Sequence, residues 1–127
     1  VFGINNDNAG FYRDLFSFLG WQTIYDDYGM LGFLDSNGVS VWFSNRLKDV
    51  FNDYDGPGLN HFAINTAAQA DVDDVAAYLT ERGVPHLFET PRHRPEFSHD
   101  EQSTYYQVMF ETPDRLLVEV VYTGPKQ

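Results

Sequence analysis

The chain reads as an α+β protein in which the order strand, helix, strand, strand, strand is written twice. Two observations carry that reading. Apolar residues recur at helical spacing from Phe11 to Leu19 and again from Val72 to Leu79, and the two stretches stop at Gly20 and Gly83. Each stretch follows one short apolar run and precedes three more, the runs being bounded by Gly, Asn, Asp and Pro.

Val1 to Asn6 is a short strand with Phe2 and Ile4 on one face. Asp7 or Asn8 caps a helix carrying Phe11, Leu15, Phe18 and Leu19. Three strands follow, Trp21 to Tyr25, Met30 to Leu34 and Val39 to Phe43, with Asn37-Gly38 marking the tightest hairpin. The polar stretch from Asn45 to Gly58 reads as a linker, so module one spans 1–55 and module two 56–127 of a single domain. Module two opens with a strand from Leu59 to Asn65. A helix from about Asp71 to Arg82 carries Val72, Val75, Ala76 and Leu79 on one face, with acids in its first turn. A short strand near His86 to Phe88, a polar loop from Thr90 to Ser103, and strands Thr104 to Phe110 and Arg115 to Tyr122 complete the repeat.

Composition narrows the function. A net charge of -11 in 127 residues opposes binding to a phosphate backbone or an anionic membrane surface, so neither nucleic acid nor membrane is an expected partner. The absence of cysteine excludes disulfides, thiolate metal sites and cysteine nucleophiles. No apolar run approaches the roughly 20 residues of a membrane span and no signal peptide is visible, so a cytoplasmic protein is expected. Aromatics are abundant, with 11 Phe, 8 Tyr and 2 Trp. They exceed what such a core requires and point to a cavity or to a subunit interface, as in a homodimer.

Two polar residues interrupt apolar strands in module two. His61 lies in Leu59-Asn60-His61-Phe62-Ala63-Ile64, and Glu119 in Leu117-Val118-Glu119-Val120-Val121. Alternation puts His61 and Ala63 on one face of their strand, and Leu117, Glu119 and Val121 on one face of theirs. A carboxylate among aliphatics is costly to bury unless it is paired, hydrogen-bonded or bound to a metal. Two such strands would bring an imidazole and a carboxylate together in a cavity.

The runs Gly58-Leu59-Asn60-His61-Phe62-Ala63-Ile64, Leu79-Thr80-Glu81-Arg82-Gly83-Val84 and Tyr105-Tyr106-Gln107-Val108-Met109-Phe110 resemble a module of the vicinal oxygen chelate superfamily. That superfamily includes glyoxalase I, extradiol dioxygenases and bleomycin-resistance proteins. Thr112-Pro113-Asp114-Arg115-Leu116-Leu117-Val118-Glu119-Val120 extends the resemblance, and Phe11-Tyr12-Arg13-Asp14-Leu15 with Phe18-Leu19-Gly20-Trp21 carries it into module one. It implies two paired βαβββ modules forming a curved mixed sheet around a cleft. Metal ligands would come from the first and fourth strands of each module.

Carried over, the resemblance makes His61 and Glu119 metal ligands, a donor set suited to Fe, Mn, Zn or Ni; no organic cofactor is indicated. Module one departs from the pattern. Its carboxylate position falls on Trp42, whose indole cannot ligate a cation, and its first-strand position falls near Val1 or upstream. A further imidazole would come from before Val1, or from His93 or His99 on the Thr90 to Ser103 loop, where Arg92 and Arg94 form a cationic cluster. Tyr105 faces the cavity with Gln107 and Met109, while Tyr106, Val108 and Phe110 face the helices. Tyr105 and Glu119 are thus the candidate catalytic groups. Trp42 and Phe33, with Gln107 and Met109, are expected to contact substrate. Two functions stand open: a metal-dependent glyoxalase or extradiol-dioxygenase-like enzyme acting on vicinal oxygens, or a metal-free, bleomycin-resistance-like protein that binds an aromatic small molecule.

Overall fold

The computed structural model describes residues 1–48 and 50–127. The chain divides into two compact units, Val1–Asn52 and Asp53–Gln127. Each is a βαβββ module, which makes the protein α+β with two separate mixed sheets.

In the first unit, β1 (Phe2–Gly3) leads through a 3-10 turn (Asn6–Asn8) into α1 (Ala9–Phe18), followed by β2 (Gln22–Asp27), β3 (Met30–Leu34) and β4 (Ser40–Ser44). The sheet order is β1-β4-β3-β2, with β1 parallel to β4 and the other pairs antiparallel. Asn8 stands at the N-cap of α1, without a side-chain cap bond, and Asn5 caps the preceding 3-10 turn, accepting the Asp7 N–H at 2.9 Å. The buried stripe of α1 is also rotated from expectation. It consists of Ala9, Tyr12, Leu15 and Phe16, while Phe18 is 45% exposed. Tyr12 is the residue a purely apolar count passes over: its ring lies 4.4 Å from that of Phe43, and Phe16 stacks on Phe33 at 4.6 Å.

In the second unit, β5 (Phe62–Asn65) leads into α2 (Gln69–Glu81), then β6 (Leu87–His93), a 3-10 turn (Pro95–Phe97), β7 (Ser103–Glu111) and β8 (Leu117–Pro125). The order β5-β8-β7-β6 repeats that of the first sheet, again with the first strand parallel to the fourth. The Asp71 carboxylate accepts the Ala68 N–H at 3.0 Å at the start of α2. Val72, Val75 and Leu79 on α2 pack with Val108, Phe110, Val118 and Val120 among the fully buried side chains. Among the described residues no helix is long and apolar enough to cross a membrane.

Two stretches read as loop carry more structure. Strand β6 continues to His93 after a register break between Leu87 and Arg92, where Phe88 and Glu89 adopt positive φ. Thr90 stitches this break to the sheet, donating to the Leu87 carbonyl at 2.7 Å and accepting the Met109 N–H at 2.9 Å. The bulge scrambles the two-residue period that marks a strand, which is why the sequence hides it. The expected linker contains Tyr54, which is buried against Met109 and Leu117. Tyr54 thus belongs to the second compact unit, which begins at Asp53.

Candidate functional site

His61 directly precedes β5 and Glu119 lies on β8, the strand paired with β5 in the register Ala63↔Glu119. The parallel pairing places the two side chains on the sheet face away from α2, with His61 Nε2 3.2 Å from Glu119 Oε2. Glu119 is almost fully enclosed (side chain 3% exposed), whereas His61 is 38% exposed and open to ligand. On β7, one strand further, Tyr105 donates its hydroxyl to the other carboxylate oxygen, Glu119 Oε1, at 2.5 Å. Both carboxylate oxygens are therefore engaged, as a buried charge requires.

These groups border a pocket of about 760 Å³ within the second unit. Gln107, Met109 and Leu117 line its wall with Tyr105, and Phe88 and Phe97 add aromatic surface. Phe97 meets the Tyr105 ring edge-on at 5.5 Å. Arg94 reaches the pocket but is already committed, bonding Glu96 at 2.6 Å and lying 4.7 Å over Phe97. Arg92 bonds Glu89 at 3.5 Å. The expected cationic cluster is thus largely neutralised by its own neighbours.

Tyr106 turns to the opposite face and donates to Asp73 of α2 at 2.5 Å. Burial first, then the bond and charge of Glu119, push the Tyr105 phenol up to about 12, with Arg94 opposing. Burial, then Asp73, does the same for Tyr106. Both remain donors across the neutral range. A phenol raised in the folded state adds stability that is complete below its ordinary value of about 10 and is lost as pH climbs through the folded value. We expect denaturant midpoints to fall as pH rises from 10 towards about 12, and Tyr106→Phe to flatten part of that fall. A parent and variant with parallel pH profiles would refute the coupling.

The first unit places its candidates differently from one another. Trp42 lies on the sheet face away from α1, half-buried, its Nε1 donating to Ser40 Oγ at 3.3 Å and its ring 5.9 Å from Tyr25. It lies flat because its cross-strand partner is Gly32, where an added Cβ would sit 2.7 Å from Trp42 Cζ3. Phe33 corrects the expectation that it contacts substrate beside Trp42. It pairs with Val41, so alternation turns it to the other face, where it is fully buried against Phe16.

His93 and His99 do not complete a metal site with His61 and Glu119. His93 Nδ1 bonds Thr104 Oγ1 at 2.5 Å, His99 is exposed, and among the described residues no group of three His, Asp or Glu side chains converges. The pair offers one imidazole nitrogen and one carboxylate oxygen, one protein ligand fewer than a catalytic zinc site draws on. Two ligand atoms at bonds of roughly 2.0–2.2 Å in neighbouring positions lie about 3 Å apart, close to the 3.2 Å found here. Two neighbours escaped the sequence reading. Asn60 bonds His61 Nδ1 through Oδ1 at 2.8 Å and the Tyr54 carbonyl through Nδ2 at 2.8 Å. An aromatic in a polar stretch, three residues after Phe51, was the available signal for Tyr54.

No protein-family model and no curated protein matches the chain. Solved structures do. A candidate glyoxalase from Bacillus halodurans is similar with a TM-score of 0.74 at 24% identity, over 94% of this chain and 90% of that one. A glyoxalase/bleomycin resistance protein from Albidiferax ferrireducens T118 also gives 0.74, at 13% identity over 95% and 94%. The fosfomycin resistance protein FosX from Listeria monocytogenes, solved with Mn(II) and sulfate, gives 0.65 at 18% identity over 95% and 84%. At these identities the likeness establishes the fold, that of the glyoxalase/bleomycin resistance/dioxygenase proteins.

Proposed function

We propose that this chain, built on the vicinal oxygen chelate fold, is a metal-dependent enzyme of glyoxalase or extradiol-dioxygenase type that acts on a small molecule with vicinal oxygens. The observation that carries the reading is the enclosed Glu119 carboxylate facing an open His61 nitrogen at 3.2 Å on the wall of a pocket. His61 and Glu119 would hold a divalent first-row ion, Fe, Mn, Zn or Ni. Such an ion supplies Lewis-acid polarisation of substrate oxygens. The Mn(II) bound by FosX, a neighbour in fold, supports a metal of this class.

The remaining work falls to the chain's own groups. Tyr105, kept protonated, donates a proton-bearing hydroxyl beside the carboxylate and orients it. Gln107 presents an amide to substrate polar atoms at the same wall, and Met109, Phe88 and Phe97 offer apolar surface to the rest of the molecule. Protein purified without chelator is expected to carry, or to take up, one such ion per chain, measured by elemental analysis and calorimetric titration. His61→Ala should abolish that uptake. A parent protein that binds none of the four ions would overturn the enzyme reading.

A second reading rests on the absence of a third His, Asp or Glu donor near the pair among the described residues, and on the aromatic rim of the pocket. It is a metal-free protein that binds an aromatic small molecule, in the manner of bleomycin-resistance members of the fold. Trp42, flat on its own sheet face, offers an indole surface in the first unit.

A further inference from the structure

Resting on the second reading above, in which the pocket takes an aromatic small molecule without a metal, we propose that Gln107 is its recognition residue. The Gln107 amide pairs with the edge of a flat lactam, a ring that carries an N–H beside a carbonyl. Strand alternation puts Gln107 on the same face of β7 as Tyr105 and Met109, in the register Gln107↔Val121 and Met109↔Glu119. The side chain lines the pocket, and the residue is only 2% exposed. Its amide makes no hydrogen bond among the described residues. The other polar groups of the lining differ in this respect. Glu119 is held by Tyr105 and His61, Asn60 is bonded through both amide atoms, and Tyr54 bonds Glu111. Asp55 accepts from Arg115 at 3.2 Å, and Arg94 donates to Glu96 at 2.6 Å. Buried polar side chains nearly always find a partner, and the exception here faces a cavity.

The chemistry of the amide selects its partner. Side by side it presents an oxygen that only accepts and an NH2 group that only donates. A carboxylate, with acceptors alone, would leave Gln107 Oε1 unpaired. An amidinium, with donors alone, would leave Nε2 unpaired. A lactam satisfies both atoms at once: its N–H donates to Oε1, and its carbonyl accepts from Nε2. The walls suit the body of such a ring. Phe88 and Phe97 line the pocket while more than half exposed, and Met109 and Leu117 add buried apolar surface. Phe88 is held there at a φ of 57°, a conformation rare for a bulky residue and of the strained kind that gathers at ligand clamps. At about 760 Å³ the pocket also falls within the range, about 300–1,000 Å³, of small-molecule sites.

Calorimetric titration of the parent protein with 2-quinolone, 1-methyl-2-quinolone and quinoline tests the pairing. The first compound carries the whole lactam edge, the second lacks its N–H, and the third lacks both N–H and carbonyl. We expect 2-quinolone to bind at least about 10-fold more tightly than either analogue, because each analogue leaves a buried amide atom unpaired. Gln107→Met, which keeps an unbranched side chain of similar size without the amide, should bind all three alike. The side-chain amide resonances of Gln107 in the parent should shift on addition of 2-quinolone. Equal binding of the three by the parent, unmoved Gln107 resonances, or a preference that survives in Gln107→Met overturns the amide pairing and leaves the pocket as a ligand site. Absence of binding by all three at millimolar concentration overturns both the pairing and the aromatic-ligand reading. The ligand comparison is made on the parent, so it decides even where the variant folds poorly.

Discussion

Glu119→Gln is expected to lower affinity for a divalent first-row cation by at least about 100-fold, the upper range of what outer partners of metal ligands contribute, while leaving the fold intact. The two effects separate because of the bonding around this side chain. Glutamine has the same shape, and its carbonyl oxygen can still accept the Tyr105 hydroxyl that Glu119 Oε1 accepts at 2.5 Å. Its amide nitrogen would then face His61 Nε2, 3.2 Å from the present Oε2, and donate to it. A neutral amide thus takes the place of a buried charge, which costs desolvation there. Calorimetric titration with Mn(II) or Zn(II) gives the affinity, and urea melts give the stability. Equal cation affinity in the two proteins would take Glu119 out of the ligand set.

Leu79→Ala should cost on the order of 2–5 kcal/mol, the largest stability effect expected of a single substitution in α2. Leu79 is fully buried on the face that meets Val108, Val118 and Val120, so truncation leaves a cavity that a packed helix–sheet layer cannot close. Against a typical total of about 5–15 kcal/mol, this is a large fraction. Phe18→Ser is the informative contrast. Sequence periodicity assigns Phe18 to the core, yet it is 45% exposed, and its replacement should cost less than about 1 kcal/mol. Urea midpoints at constant m-value decide both. A Leu79→Ala loss below about 1 kcal/mol would mean that α2 packs by a different face.

The strand–helix–strand–strand–strand repeat was legible because local rules write it. Gly20 and Gly83 end the helices in the left-handed conformation that glycine favours, with φ of 79° and 68°. Alternation along β7 separates Tyr105 from Tyr106, and the structure shows one phenol on Glu119 and the other on Asp73. The same rule marks His61 and Glu119 as polar interruptions of apolar strands. Phe33 shows where reading strands singly falls short: only the register Phe33↔Val41 and Gly32↔Trp42 sorts the two aromatics to opposite faces.

By itself, then, the sequence determined the order of elements, the two helical cores in outline and the polar pair worth asking about, since each follows from residues near one another in the chain. The tertiary structure decided what depends on contacts across the chain. Tyr54, in a polar stretch without periodicity, is buried because Met109 and Leu117, more than fifty residues on, supply its pocket. Asn60 meets His61 through its oxygen because the Tyr54 carbonyl accepts from its amide nitrogen and so orients the amide. Strand β6 continues past its bulge because Thr90 bonds the Met109 amide across the sheet. No local propensity encodes such pairings, because the free energy that selects them arises only when distant strands lie side by side.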